Sequence, residues 1–345
     1  MNLLKIITSF FFFTLILSII SISSPLLGED MDLTMAQDTV TTESVGSLFQ
    51  PAGFLQQHFS HNTNSDHPAA FSIYRARVGI AGKVTDRLSI NIIAGAVEPP
   101  NRTPRLVNAF VDYKIDPRIN IRTGQFLVPF GLEGPEVIIF NPLIERSLAV
   151  RRLNTFNMFR DVGIQAFGTT GLFQYAVALV NGSGANVAEQ IDPKDIMGRI
   201  GITPMDHFVL GLSGHLGTYQ PAGNSESEQK RFRAGTDFSF QYEHLLVRGE
   251  FILREDDLPD NNSLSQQGGY LLGAYHLTNN WQALLRFEFH DPNTSVDENE
   301  LTSWTTGINY YIDGPTRVSA NYEIRNDQMN PDLGDLFTVQ FQVAI

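Results

Sequence analysis

The 345-residue sequence contains no cysteine, which excludes disulfide bonds, a Cys-rich metal motif and a lipid-modified N-terminal cysteine. Lysine is also scarce, with five residues at positions 5, 83, 114, 194 and 230, so arginine supplies most of the positive charge. The formal net charge is -13, and this acidic balance argues against nucleic acid as a partner.

Long apolar runs are absent after residue 22, where the run at 6–22 ends. That run follows Lys5 and precedes Gly28 and two acidic residues, which predicts a cleaved signal peptide at 1–28 and export of the chain. A single membrane anchor is the alternative, because the run approaches the length that spans a bilayer. Residues 29–44 are predicted to be a flexible N-terminal segment.

Short alternating segments fill the chain from about residue 45, and brief and long connections alternate between them. "AFSIYRARVGIAG" is followed by the tight "KVTDR", then by "LSINIIAGAV" and the longer "EPPNRTP". Gly, Pro, Asn and Asp dominate the brief connections because they adopt the φ values of tight turns. Fifteen segments from residue 69, with a weaker one at 45–59, predict an all-β fold. The class is a transmembrane antiparallel β-barrel at 45–345, of about sixteen strands in an up-and-down meander.

Each segment separates polar from apolar side chains by period two, as the two faces of a β-strand require. In "RFRAGTDFSFQYE", the phenylalanines alternate with Arg231, Arg233 and Asp237. Ten basic residues fall on polar faces in this way: Arg75, Arg77, Lys114, Arg199, Arg231, Arg233, Arg248, Arg286, Arg317 and Arg325. Fewer acids share those faces, since the acidic residues gather in the long connections. We expect the polar faces to line water inside the barrel and the apolar faces to contact lipid.

Three stretches resemble the porin O and P family, the phosphate-selective porins. They are "IYRARVGIAGKVTDRLSI", "AFVDYKIDPRINIRTGQFLVPFGLE" and "LIERSLAVRRLNTFNMFRDVGIQAFG" with the "FQYAVALVNGSG" that follows, over roughly residues 70 to 184. The resemblance implies an outer-membrane barrel of sixteen strands, a homotrimer, and a loop folded into the lumen. The longest connection, 131–158, is the candidate for this constriction loop, and its "ERSLAVRR" places Arg146, Arg151 and Arg152 close together.

An excess of arginine along a narrow passage concentrates anions, and guanidinium donates paired hydrogen bonds to oxyanions. The function predicted is therefore a porin for passive diffusion of small anionic solutes, with phosphate among the candidates. The family's specific preference for phosphate does not transfer, because that preference is associated with lysines as well as arginines. Pairing of the arginines with neighbouring acids, which would only stiffen a wet wall, is the alternative for each of them.

The sequence leaves two further functions open. A barrel plugged by its own loop would act as an adhesin or an envelope-anchoring surface protein, and an outer-membrane hydrolase would need catalytic groups. His58, His61 and His67 with Asp66 form a weak metal candidate, and His290, Glu288 and Ser319 a weak triad. Neither set has a spacing that fixes its geometry, so we predict neither enzyme activity nor a metal or other cofactor. The expected partners are small anions, outer-membrane lipid and lipopolysaccharide.

Overall fold

The computed structural model describes residues 49–64, 69–99, 101–154, 156–189, 191–220, 228–259 and 262–345. Within them, sixteen antiparallel strands form one closed barrel, in which β1 pairs with β2 and also with β16. The predicted fold class is confirmed. The predicted signal peptide at 1–28 and the flexible segment at 29–44 lie outside the described residues.

The strands follow the predicted alternation of connection lengths: seven brief turns and eight longer connections join the sixteen strands. Their bounds are β1 Phe49–Asn62, β2 Ala70–Lys83, β3 Leu88–Val97, β4 Arg105–Asp116, β5 Ile119–Leu127, β6 Arg160–Thr170, β7 Phe173–Val180, β8 Asp195–Met205, β9 Phe208–Tyr219, β10 Gln229–Tyr242, β11 Leu245–Asp257, β12 Ser263–His276, β13 Trp281–Asp291, β14 Leu301–Asp313, β15 Thr316–Asp327 and β16 Leu336–Ala344. No helix in this described part of the chain is long and apolar enough to cross a membrane.

The weakest predicted strand is the one that closes the barrel. Phe54 of β1 lies opposite Ala344 of β16, and the backbone amide of Ile345 donates to Gly53 while Gly53 donates back to Ile345. Inside the closure, Gln56 donates to Gln342 across the two strands at 2.7 Å. The first described strand is therefore part of the barrel and leaves no unpaired sheet edge.

Alternation places apolar side chains outside, as the sequence predicts. On β13, Trp281 and Leu285 are exposed on the outer face, whereas Arg286 and Glu288 are buried on the inner face. Tyr113, Tyr242 and Trp281 near strand ends are also exposed, as expected of an aromatic girdle at the membrane interface.

The predicted constriction loop, 131–158, belongs to the connection between β5 and β6, which lies inside the barrel; from here on the name covers this whole connection, residues 128–159. Its described residues contain one short α-helix, α1, Leu148–Leu153, and two 3-10 helices, Ile138–Phe140 and Asn157–Phe159. Side chains of β2, β10, β11, β13, β15 and β16 bond to it, and only a segment within the closed ring reaches strands on opposite sides.

The helix α1 is held by an apolar patch on the inner wall. Ala149, Val150 and Leu153 are buried against Ile252, Leu272 and Leu284 of β11, β12 and β13. Ser147 caps the helix by accepting a hydrogen bond from the backbone amide of Val150. Arg151 and Arg152 lie in the last turn of α1, away from this apolar contact, and both side chains are exposed.

Candidate functional site

The constriction loop begins at a buried carboxylate on the wall. Glu250 of β11 accepts the backbone amides of Leu132 at 3.2 Å and Glu133 at 3.1 Å. Gly131 lies beside this carboxylate with φ +77°, and its own amide donates to Ser213 at 3.0 Å. Two backbone amides of the loop thus depend on this one side chain, so Glu250 is the main anchor of the loop entrance.

Two more buried carboxylates hold the middle of the loop. Glu133 accepts the side-chain amide of Asn141 and the backbone amide of Ser147, both at 2.7 Å. Glu288 of β13 accepts the backbone amide of Leu148, also at 2.7 Å. The start of α1 is thereby fixed both to the loop itself and to the wall.

Arg146 fastens the loop instead of facing the lumen. It is buried, donates to the backbone carbonyls of Glu133, Gly134 and Glu136, and lies over the ring of Phe159. Burial lowers the pKa of Arg146 to about 10, which leaves the guanidinium charged at neutral pH. Arg146 therefore does not share the exposure of Arg151 and Arg152. The guanidinium N–H groups of Arg146 that donate to these carbonyls are not available to bind an anion.

Most of the predicted wall arginines lie on the inner face but form ion pairs with carboxylates. The shortest contacts are Arg75–Glu145 3.4 Å, Arg77–Glu98 2.6 Å, Arg199–Asp237 2.5 Å, Arg231–Asp195 2.7 Å, Arg233–Asp256 2.7 Å, Arg248–Glu136 3.1 Å and Arg286–Glu288 3.1 Å. Their charge is largely neutralised, which matches the alternative left open above, that pairing stiffens the wall. The described inner strands therefore do not carry a large net positive charge.

The three remaining wall residues do not pair with a carboxylate among the described residues. Arg317 donates to the hydroxyl of Tyr311 at 3.3 Å and to the carbonyl of Asn141, and so supports the loop. Arg325 donates to the carbonyls of Leu333 and Gly334 near the β15–β16 connection. Lys114 is exposed close to the brief turn between β4 and β5. Of these three residues, Lys114 alone is exposed. It lies at the turn end of β4 and not beside the constriction loop.

Arg151 and Arg152 differ from the wall arginines. Both side chains are exposed, and in the described part of the chain no ion pair joins either of them to a carboxylate. They occupy the last turn of α1, where the helix dipole favours positive charge. The backbone carbonyl of Arg152 accepts from Arg254 at 3.2 Å, which fixes the helix end to β11. These two guanidinium groups are the exposed positive charge of the constriction loop.

A group of polar residues faces the same space from β1 and β2. Arg75 lies 3.4 Å from both carboxylate oxygens of Glu145, and its guanidinium covers the ring of Tyr74 at 4.5 Å. Tyr74 stacks on His58 at 4.1 Å between ring centroids, and His58 bonds to Gln340 at 2.7 Å. Sequence reasoning missed Tyr74 and Glu145 as members of this group, which we call the Glu145 cluster.

The weak metal and triad candidates gain no support. His58 is committed to the Glu145 cluster, and His67 and Asp66 lie outside the described residues. No group of three or more potential ligands forms a metal site in the ranges that the structure describes. Glu288, the acid of the candidate triad, already accepts from Arg286 and Leu148.

Sequence reasoning also missed a buried group beside the loop. Asp195 accepts His215 Nε2 at 2.7 Å, Arg231 Nη2 at 2.7 Å and the backbone amide of Thr218 at 3.0 Å. The ring of Phe156, near the end of the constriction loop, contacts both the His215 ring at 5.7 Å and the Arg231 guanidinium at 5.2 Å. Asp195 was hidden because it directly follows a long polar connection, where an acid is usually a solvated surface residue.

The comparisons with known proteins agree with the barrel. The family model for phosphate-selective porin O and P matches residues 50–252 and 223–345. A loop-deletion mutant of OmpT, an outer membrane protein of Vibrio cholerae, superposes with a TM-score of 0.67 and 11% identity, over 86% of this chain and 99% of that chain. The anion-selective porin from Comamonas acidovorans superposes with a TM-score of 0.65 and 11% identity, with the same coverage.

The match to a sequence relative covers a smaller part of the chain. An uncharacterized protein of Aquifex aeolicus is 26% identical over 145 residues, which is 40% of this chain and 33% of that protein. The match thus spans a third of that relative's length. The structural neighbours, at such low identity, show the fold, whereas the family model covers most of this chain. The chain therefore belongs to the phosphate-selective porin O and P family of outer-membrane porins.

Proposed function

We propose that this porin conducts small anions by passive diffusion, with a weak preference that depends on Arg151 and Arg152. The observation that carries the proposal is their exposure, without a carboxylate partner among the described residues, on a helix fixed inside the lumen. Phosphate is one candidate solute. The paired wall arginines contribute rigidity, so the selectivity is expected to be modest.

The magnitude follows from Coulomb's law. A unit charge about 8 Å from a passing ion is worth about 0.5 kcal/mol in bulk water, so two such charges give about 1 kcal/mol. That free energy corresponds to roughly a fivefold change in relative permeability. Salt screens it over about 10 Å at 0.1 M, so the preference weakens at high ionic strength.

The test is the reversal potential of the refolded protein in a planar bilayer under a KCl gradient. The double variant Arg151→Ala and Arg152→Ala is expected to lower the chloride-to-potassium permeability ratio by roughly fivefold. The matched control is Arg87→Ala with Arg118→Ala, which removes two exposed charges from brief turns between strands. Equal reversal potentials for the two double variants would contradict the proposal.

A second function has specific support, since the constriction loop covers much of the inner wall. Phe130, Leu143, Ala149 and Leu153 are each 4% exposed or less, and so are Arg233, Arg286 and Arg317 on the wall. A plugged barrel that serves as a surface adhesin or envelope anchor would look similar. Absence of any channel current from correctly folded, heat-modifiable protein would favour this function over the porin.

The assembly and export are proposed on the same family grounds. A homotrimer is supported by the trimer form in which OmpT of Vibrio cholerae is described, at a TM-score of 0.67. The exposed apolar side chains of the outer face, such as Leu212 and Ile200, suit contact with membrane lipid. Cleavage of residues 1–28 on export is checked by N-terminal sequencing of the mature protein.

A further inference from the structure

Three groups converge on a single carboxylate of the constriction loop. Arg75 Nη2 lies 3.4 Å from each carboxylate oxygen of Glu145, and the same guanidinium covers the ring of Tyr74 at 4.5 Å. Among the carboxylates, Glu145 also has the strongest electrostatic effect on Arg151. Two guanidinium groups and a phenol hydroxyl are donors that also suit an oxyanion solute.

The ion pair of Glu145 is looser than the others on the wall. The Glu145 side chain is 26% exposed, whereas the carboxylates of Asp237, Asp195 and Glu288 are 1% exposed or less. The contact at 3.4 Å is also longer than the 2.5 Å between Arg199 and Asp237. A loose, water-accessible pair contributes little to stability, so its charge is available for another role.

Glu145 is ionised under ordinary conditions. Burial opposes ionisation of its carboxyl, but the charges of Arg75 and Arg151 outweigh burial and hold its pKa below the usual range. The guanidinium groups around it are therefore already satisfied by a negative charge that belongs to the chain.

We propose that Glu145 is a tethered counter-ion, which occupies the arginine site that a passing oxyanion would otherwise fill. The inference rests on the proposed anion conduction and identifies the residue that limits its selectivity. With Glu145 in place, anions meet a partly neutralised constriction and pass without tight binding. Without the Glu145 charge, Arg75, Arg151 and Tyr74 form an open oxyanion site.

The variant Glu145→Gln tests this with little risk to the fold. The backbone carbonyl of Glu145 accepts Arg286 at 3.0 Å, and this anchor is independent of the side chain. Asp116→Asn is the matched control, since it removes one carboxylate paired with Arg118 at the exposed turn after β4. Reversal potentials under a KCl gradient, and chloride current with inorganic phosphate added, are measured for both variants and for the unmodified protein.

Glu145→Gln, which removes one charge, is expected to raise the chloride-to-potassium permeability ratio by roughly twofold, which corresponds to about 0.5 kcal/mol. Phosphate is expected to block its chloride current, and Arg151→Ala added to Glu145→Gln is expected to abolish the block. The unmodified protein and Asp116→Asn should show no block.

Two results would overturn the inference. One is a Glu145→Gln channel whose ratio and phosphate response equal those of Asp116→Asn, and the other is a phosphate block that survives Arg151→Ala. Failure of the proposed function is seen separately. It would appear as an unchanged anion preference in the double variant of Arg151 and Arg152, whatever Glu145→Gln does.

Discussion

The entrance of the constriction loop offers the sharpest mechanical test, through Gly131. A Cβ at this position would overlap Oε1 of Glu250, the carboxylate that accepts the amides of Leu132 and Glu133. Gly131 also has φ +77°, a backbone conformation that residues other than glycine rarely adopt. Gly131→Ala must therefore displace Glu250, shift the loop, or do both.

The cost has two parts. The left-handed backbone conformation costs an L-residue roughly 1–2 kcal/mol. Loss of two hydrogen bonds costs about 0.5–1.5 kcal/mol each, or about 1–3 kcal/mol together. The sum, roughly 2–5 kcal/mol, is large enough to release the loop from this one anchor. We expect the loop to leave the wall at this point while the sixteen strands stay paired.

The assay combines single-channel recording with limited proteolysis of the loop. Gly131→Ala should give larger and noisier conductance steps and faster cleavage within 131–158, with heat-modifiable migration retained. Gly171→Ala is the matched control: it has φ +56° in the turn between β6 and β7, and a Cβ there meets nothing within 4 Å. If both variants conduct and cleave alike, backbone strain alone explains the effect, and Glu250 is not the anchor.

Two further substitutions test packing and charge burial, both read from the temperature at which the folded band disappears in heat-modifiability gels. Leu153→Ala leaves a cavity under α1 and should cost about 2–5 kcal/mol and loosen the loop, whereas the lipid-facing Leu212→Ala should be nearly neutral. Asp195→Asn strips the buried Arg231 of its charged partner and should cost about 3–5 kcal/mol, against less than about 1 kcal/mol for the exposed Asp116→Asn. Equal melting within either pair would refute the corresponding role.

The barrel was predictable because its signals are local. Period-two alternation and turn residues recur in every segment, and a strand such as β13 separates Trp281 from Arg286 by position alone. That parity alone predicts an inner placement for the ten basic residues. Which acid each arginine meets depends on strand register, and register is a long-range property. Arg231 and Asp195, for example, lie two strands apart.

One irregularity explains why the Glu145 cluster escaped the sequence reasoning. The pairing of β1 with β2 shifts by one residue, so that Gln56 lies opposite Arg75 and Gln57 opposite Ile73. The extra residue is Tyr74, which therefore faces inward together with Arg75 and stacks on His58. Strict alternation would turn Tyr74 to the lipid. Such a bulge leaves no mark in composition, and so the sequence alone could not reveal it.

The loop's docking surface was equally hidden. Leu284 shares the inner face of β13 with Arg286, and Ile252 and Leu272 lie beside it on β11 and β12. In the sequence, an apolar residue on the water-facing side of a strand breaks the polar pattern, and its role is visible only once its packing partner is known. The partner is α1, more than ninety residues earlier in the chain, and its Leu153 fills the space over this patch.

That separation along the chain has a consequence for how the channel is made. Residues 148–153 lie far along the chain from 245–291, the strands on which α1 rests. Loop-closure entropy opposes such a distant contact until the intervening strands are paired. We therefore expect a nascent barrel to pass through a stage with an open lumen, and the narrow passage to form late, when β11–β13 join the sheet. Substitutions in the α1 contact should change the timing of this last step more than the pairing of the strands themselves.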